Sequence, residues 1–213
     1  MFRRLILAAP LLALAACGPA DTPKSTPAAS SAPVLVERQT ADGGVDRFTP
    51  YLGGPLALDE FSVGPLMAQT EFSMEAIKPR FPKAEVKSAF LHQGQGEPTP
   101  IITVEQDGGV LEIQGNPGTT KVGDIRITGG TPKGPRGETL GLKWAAADMD
   151  YPRCWMGKDR DVHAVICTQP GEPALRYIFG VPGWTQDALP SEAVLREKAT
   201  LREFLWRGGA PAQ

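Results

Sequence analysis

The stretch "PIITVEQDGGVLEIQGN" restricts the fold more than any other part of the chain. Two runs rich in β-branched and apolar residues flank Asp107-Gly108, a dipeptide suited to a two-residue turn in which both central residues take positive φ. Such a turn joins antiparallel neighbours, so the domain must contain an antiparallel sheet. Other strand-like runs follow the same logic: Val86 to His92, Asp124 to Thr128 ("DIRIT"), Val162 to Thr168, Ala174 to Val181 and Leu201 to Trp206. Helical signals are shorter. Thr70 to Lys78 reads as a short helix with Thr70 or Ser73 as N-cap and Pro79 near its end; Leu140 to Met149 and Ser191 to Lys198 read as two more. The expected class is therefore α+β, mainly antiparallel sheet with two or three short helices.

The order of these signals repeats. Phe81-Pro82 leads into the first group of strands and Tyr151-Pro152 into the second, and Gly96-Glu97-Pro98 has a counterpart in Gly171-Glu172-Pro173. A diverged duplication, halves 55–128 and 129–207, each a helix followed by about four strands, accounts for the order; so does coincidence among turn-forming residues.

The N-terminus gives an address. Arg3 and Arg4 precede an apolar segment from Leu5 to Ala16, shorter than the roughly 20 residues of a membrane-spanning helix, as in a secretion signal. Leu14-Ala15-Ala16-Cys17 resembles the lipobox of bacterial lipoproteins. That resemblance implies cleavage before Cys17 and acylation of its sulfur, with membrane attachment by lipid rather than by a spanning helix. Gly18 stands where an Asp would signal inner-membrane retention in enterobacteria, so the outer membrane is the expected location. Residues 1–16 are then the signal peptide and residues 17–47 a lipidated tether rich in Pro, Ala, Ser and Thr, which buries too little to order itself. Residues 48–208 form one globular domain, and residues 209–213 a disordered tail.

Charge and cysteine content narrow the partners. Taking Arg3 and Arg4 from a formal net charge of -2 leaves -4 on the mature chain, and without a Lys/Arg block there is no footprint for nucleic acid. Of three cysteines, Cys154 and Cys167 remain after Cys17. They bracket "WMGKDRDVHAVI", whose polar centre and apolar flanks read as a hairpin placing the two opposite each other. A cross-strand disulfide is expected in an oxidising compartment; a redox thiol pair would need C-x-x-C spacing.

"FPKAEVKSAF", "PIITVEQDGGVLEIQ", "DIRITGG", the two cysteines, "LRYIFGVPGW" and "LPSEAVLREKATLREFLWR" together resemble the RpoE-regulated (YfeY-like) lipoproteins of proteobacteria, from about Pro55 to Arg207. The resemblance implies an envelope lipoprotein, with expression linked to envelope stress. It implies no catalytic residues, because the family has no assigned activity.

The sequence offers little raw material for catalysis. His92 and His163 are the two histidines. Asp159, Asp161 and His163 would share one face of a strand at period two and could in principle hold a cation, but a solvated hairpin tip is the plain reading and no metal is expected. No serine lies in a nucleophile motif, and the glycine pairs lack a phosphate-loop lysine. Asp148 and Asp150 could serve as acid and base in sugar hydrolysis. Trp184 lies in the loop "VPGWTQDALP", as a binding anchor or as a plug at the edge of the core with its indole N–H on a backbone carbonyl. The expected function is a non-enzymatic protein-interaction or envelope-maintenance module without a cofactor. The alternatives are a lysozyme-inhibitor-like protein, a binder of lipid or apolar ligands, and an enzyme acting on peptidoglycan or glycans.

Overall fold

The structure is a computed structural model that describes residues 36–39, 45–48, 54–92 and 96–208. The expected signal peptide, Cys17, most of the tether and the tail at 209–213 lie outside the described residues. Two short strands, β1 (Val36–Gln39) and β2 (Val45–Phe48), pair antiparallel within the stretch expected to end the tether. Among the described residues no helix is long and apolar enough to cross a membrane.

The domain is built on one antiparallel sheet of eight strands. A small β-ladder of β3 (Ser62–Val63) and β4 (Leu66–Met67) precedes α1 (Met74–Ile77). Ser73 caps α1, its hydroxyl accepting the N–H of Ala76 at 3.2 Å; this chooses Ser73 over Thr70 as N-cap. A 3-10 turn through Lys78–Arg80, with Pro79 inside it, ends the helix. Four strands then meander: β5 (Glu85–Leu91), β6 (Thr99–Gln106), β7 (Gly109–Gly115) and β8 (Val122–Gly129). Asp107 and Gly108, at φ 52 and 74, form the turn between β6 and β7 with Gln106 opposite Gly109.

The second half supplies β9 (Cys154–Met156), β10 (Ala164–Cys167), β11 (Leu175–Gly180), α2 (Glu192–Lys198) and β12 (Thr200–Arg207). The sheet order is β5-β6-β7-β8-β12-β11-β10-β9. Each half is thus a four-stranded meander, and β8 and β12 join the two within one sheet. The first half begins with a helix, whereas the second places its helix between β11 and β12.

Leu140 to Met149 is not a helix, contrary to the expectation. Its backbone is committed elsewhere: Gly141 and Trp144 donate to the carbonyls of Leu201 and Ala199 at 2.7 and 3.0 Å, and Leu142 accepts from Leu201 at 2.8 Å. These bonds lay the segment along the start of β12, and the buried side chains of Trp144, Ala147 and Met149 fix it there. Tertiary hydrogen bonding overrides the helix propensity of its alanines.

Alternation along the strands divides the sheet into two faces. One carries the core: Val104, Leu111, Ile113, Ile125, Ile127, Phe204, Trp206, Leu175, Tyr177, Phe179, Val165 and Cys167, covered by Leu56, Leu58, Ile77, Phe81, Trp144 and Leu195. The opposite face holds a smaller apolar patch, Ala164, Ile166, Ile178 and Leu205, among charged residues. Cys154 and Cys167 sit opposite each other in the β9–β10 register, Cα atoms 4.1 Å apart, and form the expected disulfide.

Candidate functional site

Three polar constellations stand out on this frame. The first lies at the edge of the core. Glu138, Glu172 and Tyr177 are buried. The Tyr177 hydroxyl on β11 lies 2.6 Å from Glu172 Oε2 and 3.4 Å from Glu138 Oε1. Arg136 reaches both carboxylates, Glu138 at 2.6 Å and Glu172 at 3.7 Å. Burial pushes the Glu172 carboxyl up, against the pull of Tyr177 and Arg136, and burial together with the Glu172 hydrogen bond pushes the Tyr177 phenol far above its ordinary range. Nearby, Gln169 donates to the carbonyls of Ala147 and Asp148 at 3.2 and 3.1 Å. Every polar group here has a partner within the fold, so the cluster ties the Thr131 to Met149 segment to the sheet.

The second constellation is on the opposite face. Arg126 on β8 is 6% exposed and makes a bidentate pair with Asp161, at 2.8 and 2.9 Å, while also bonding Glu203 on β12. Arg160 pairs with Glu112 on β7. The β9–β10 connection therefore folds back over the sheet. Its centre, Asp159–Asp161, is a 3-10 turn and His163 has φ 65. This overturns the expected strand face of Asp159, Asp161 and His163: the segment is not extended, and Asp161 is committed to Arg126. Among the described residues no group of three His, Cys, Asp or Glu side chains could hold a metal ion.

The third constellation is an open groove of about 1050 Å³ at the other end of this second face. Its walls come from the end of β7, the starts of β8 and β11, the ends of β10 and β12, and the turns beside them. Arg153, Arg176 and Arg207 line it together with Asp124, Glu60 and Gln114. Arg207 pairs with Asp124 at 3.4 Å and Arg153 with Asp150 at 3.6 Å. Arg176 forms no ion pair among the described residues; it donates from one nitrogen to the carbonyls of Pro173 and Leu175 at 2.6 and 3.3 Å. Its guanidinium carbon lies 5.7 Å from the ring centre of Trp155 on β9, which is 42% exposed. Burial and the neighbouring Arg207 charge draw the pKa of Arg176 down, against a smaller opposing pull from Asp124. A half-buried cation with no direct ion pair, beside a second cation, is a standing attraction for an anion.

The residues singled out from sequence fall elsewhere. Trp184 is half-buried against the core, with its indole N–H donating to Ala188 O at 3.0 Å, and it lies outside the groove. Asp148 and Asp150 are exposed, and Asp150 is engaged with Arg153. His92 and His163 are exposed or turn residues. The arginines of the groove were missed because none lies in a recognisable motif; the one available signal was Arg176 at an outward position of an otherwise apolar strand.

The fold defines an α+β protein of one central antiparallel sheet whose two meanders meet at their last strands. Within that class, the chain is similar to the crystal structure of the uncharacterized protein YfeY from Escherichia coli, with a TM-score of 0.55, 19% sequence identity, and coverage of 71% of this chain and 98% of that one. The similarity establishes a shared YfeY-like fold. No protein-family model and no curated protein matches the sequence.

Proposed function

We propose that the chain is a lipoprotein, anchored through Cys17 at the periplasmic face of the outer membrane, whose domain is a non-enzymatic module that binds an envelope protein. The lipobox-like Leu14-Ala15-Ala16-Cys17 after a short apolar segment supports the anchor. The observation that carries the binding role is the groove with Arg176, which has no direct ion pair among the described residues, a concave polar surface large enough for a ligand. A polar, arginine-lined surface favours a protein partner over an apolar ligand, and it resembles a recognition surface more than a lipid cavity.

Two measurements test this. Cells fed radioactive palmitate should label the parent protein and not a Cys17→Ala variant. Crosslinking in the native envelope, followed by mass spectrometry, should return one dominant protein that is lost when Arg176 is replaced by Glu and retained in Trp184→Ala. An unlabelled parent sinks the anchor. A crosslink profile of bulk envelope proteins, unchanged by Arg176→Glu, sinks the binding role.

A further inference from the structure

The groove also carries information about what it takes. Arg176 is held by two backbone carbonyls and lies beside the Trp155 ring. The guanidinium is thereby oriented, and its remaining N–H groups form a planar fork of the kind that matches a carboxylate. Arg207 is its diagonal neighbour across the β11–β12 pair, where Arg176 faces Leu205. Asp124 neutralises part of this paired charge through Arg207, and Arg176 is left without a direct carboxylate partner among the described residues.

The walls also limit which anion fits. Asp124 lies against Arg207, and Glu60 lines the same groove. A densely charged polyanion would be repelled by Asp124, whereas a single carboxylate flanked by neutral groups can reach Arg176 with less of that repulsion. The groove, about 1050 Å³, is far larger than a single small ion, so the carboxylate belongs to an extended molecule.

Resting on the binding role above, we propose that the groove holds a carboxylate-bearing peptide segment of the partner, with Arg176 as the principal contact and Arg207 as the second. The side chain of a Glu or Asp in the segment accepts from the Arg176 fork, and the neutral residues on either side run along the groove between Gln114 and the β10 end.

The test uses the full-length protein in detergent micelles and a fluorescein-labelled peptide, Gly-Ser-Gly-Glu-Gly-Ser-Gly with an amidated C-terminus, followed by fluorescence anisotropy. The Glu peptide should bind saturably, and the Gln counterpart at least tenfold more weakly. Arg176→Lys keeps the charge but loses the fork, and should weaken binding at least tenfold; Arg207→Gln should weaken it severalfold. Thermal melts identify any variant that has lost its fold, and Arg207→Gln, at the rim, keeps the test decisive if Arg176→Lys unfolds. Equal binding of the Glu and Gln peptides, or unchanged affinity in both variants, would overturn the proposal. So would displacement by inorganic phosphate at concentrations where chloride of equal ionic strength has no effect, since that outcome assigns the site to phosphate groups. If a crosslinked partner is found but the peptide does not bind, this proposal fails while the envelope-binding role stands; peptide binding without a captured partner gives the reverse.

Discussion

Replacing Cys154 with Ala should remove about 3 kcal/mol of stability. The bridge closes a loop with a sequence separation of 13, and the chain-entropy model assigns about 3 kcal/mol to a loop of that size. The choice of Cys154 keeps the native state nearly intact. Cys167 is fully buried and its sulfur lies 3.4 Å from the Trp144 indole nitrogen; leaving it in place as a thiol preserves that contact. The native-state share of the loss is then confined to the slightly exposed Cys154 position on β9, an edge strand paired with β10 through three residues. With a urea m-value of about 1.5–3 kcal/mol/M, the midpoint should fall by about 1–2 M. The melting temperature should fall by about 6–12 °C, at about 2–4 °C per kcal/mol for a domain of this size. Dithiothreitol added to the parent protein should reproduce the variant. A loss below about 1 kcal/mol at unchanged m would refute the reasoning, because it would mean that the bridge does not restrict the unfolded chain.

Three further outcomes are expected. Gly130→Ala should destabilise more than Gly108→Ala in urea unfolding: both have positive φ, but a Cβ at Gly130 would lie 2.7 Å from the Gly109 nitrogen, against 3.9 Å to the nearest atom at Gly108, so the first adds a clash to a backbone cost of about 1–2 kcal/mol. Burial raises the folded pKa of Glu172 above 4.5; its contribution is therefore fully present below the unfolded value and lost as pH rises through the folded one. Melts from pH 4 to pH 7 should show the parent losing ground to Glu172→Gln, and a parent that gained ground would contradict the buried-carboxyl assignment. Arg126→Ala strands Asp161 and Glu203 on the second face and should cost about 2–4 kcal/mol in chemical unfolding; a loss within 0.5 kcal/mol would show that the two carboxylates reach water on their own.

What the sequence made legible was local. Asp107-Gly108, the strand runs, the Ser191 to Lys198 helix and the facing cysteines each rest on neighbours in the chain, where turn chemistry and alternation act directly. Whether the two halves share one sheet or appose two was not legible, because the β8–β12 pairing joins strands far apart in the chain. Leu140 to Met149 failed because its hydrogen bonds go to Ala199 and Leu201, far along the chain. The charged clusters were hidden for a related reason. Arg126 meets Asp161 and Glu203, and Arg136 meets Glu172, only after the sheet has assembled. The groove is less legible still, because it is formed by strand ends from both halves and no single stretch encodes it.

The place of β12 in the sheet has a consequence for how the chain is made. Synthesised last, it is flanked by β8 on one side and β11 on the other. Until Thr200 to Arg207 leave the ribosome, both meanders present an unpaired inner edge, and each edge is a template for pairing with another chain. The vulnerable interval thus lasts until β12 emerges, and a protein truncated before β12 has two open sheets where the folded one has a continuous centre. Quality control that recognises unpaired strand edges would therefore act on this sheet until its last strand is in place, and a premature stop just before Thr200 would be as damaging to it as one much earlier.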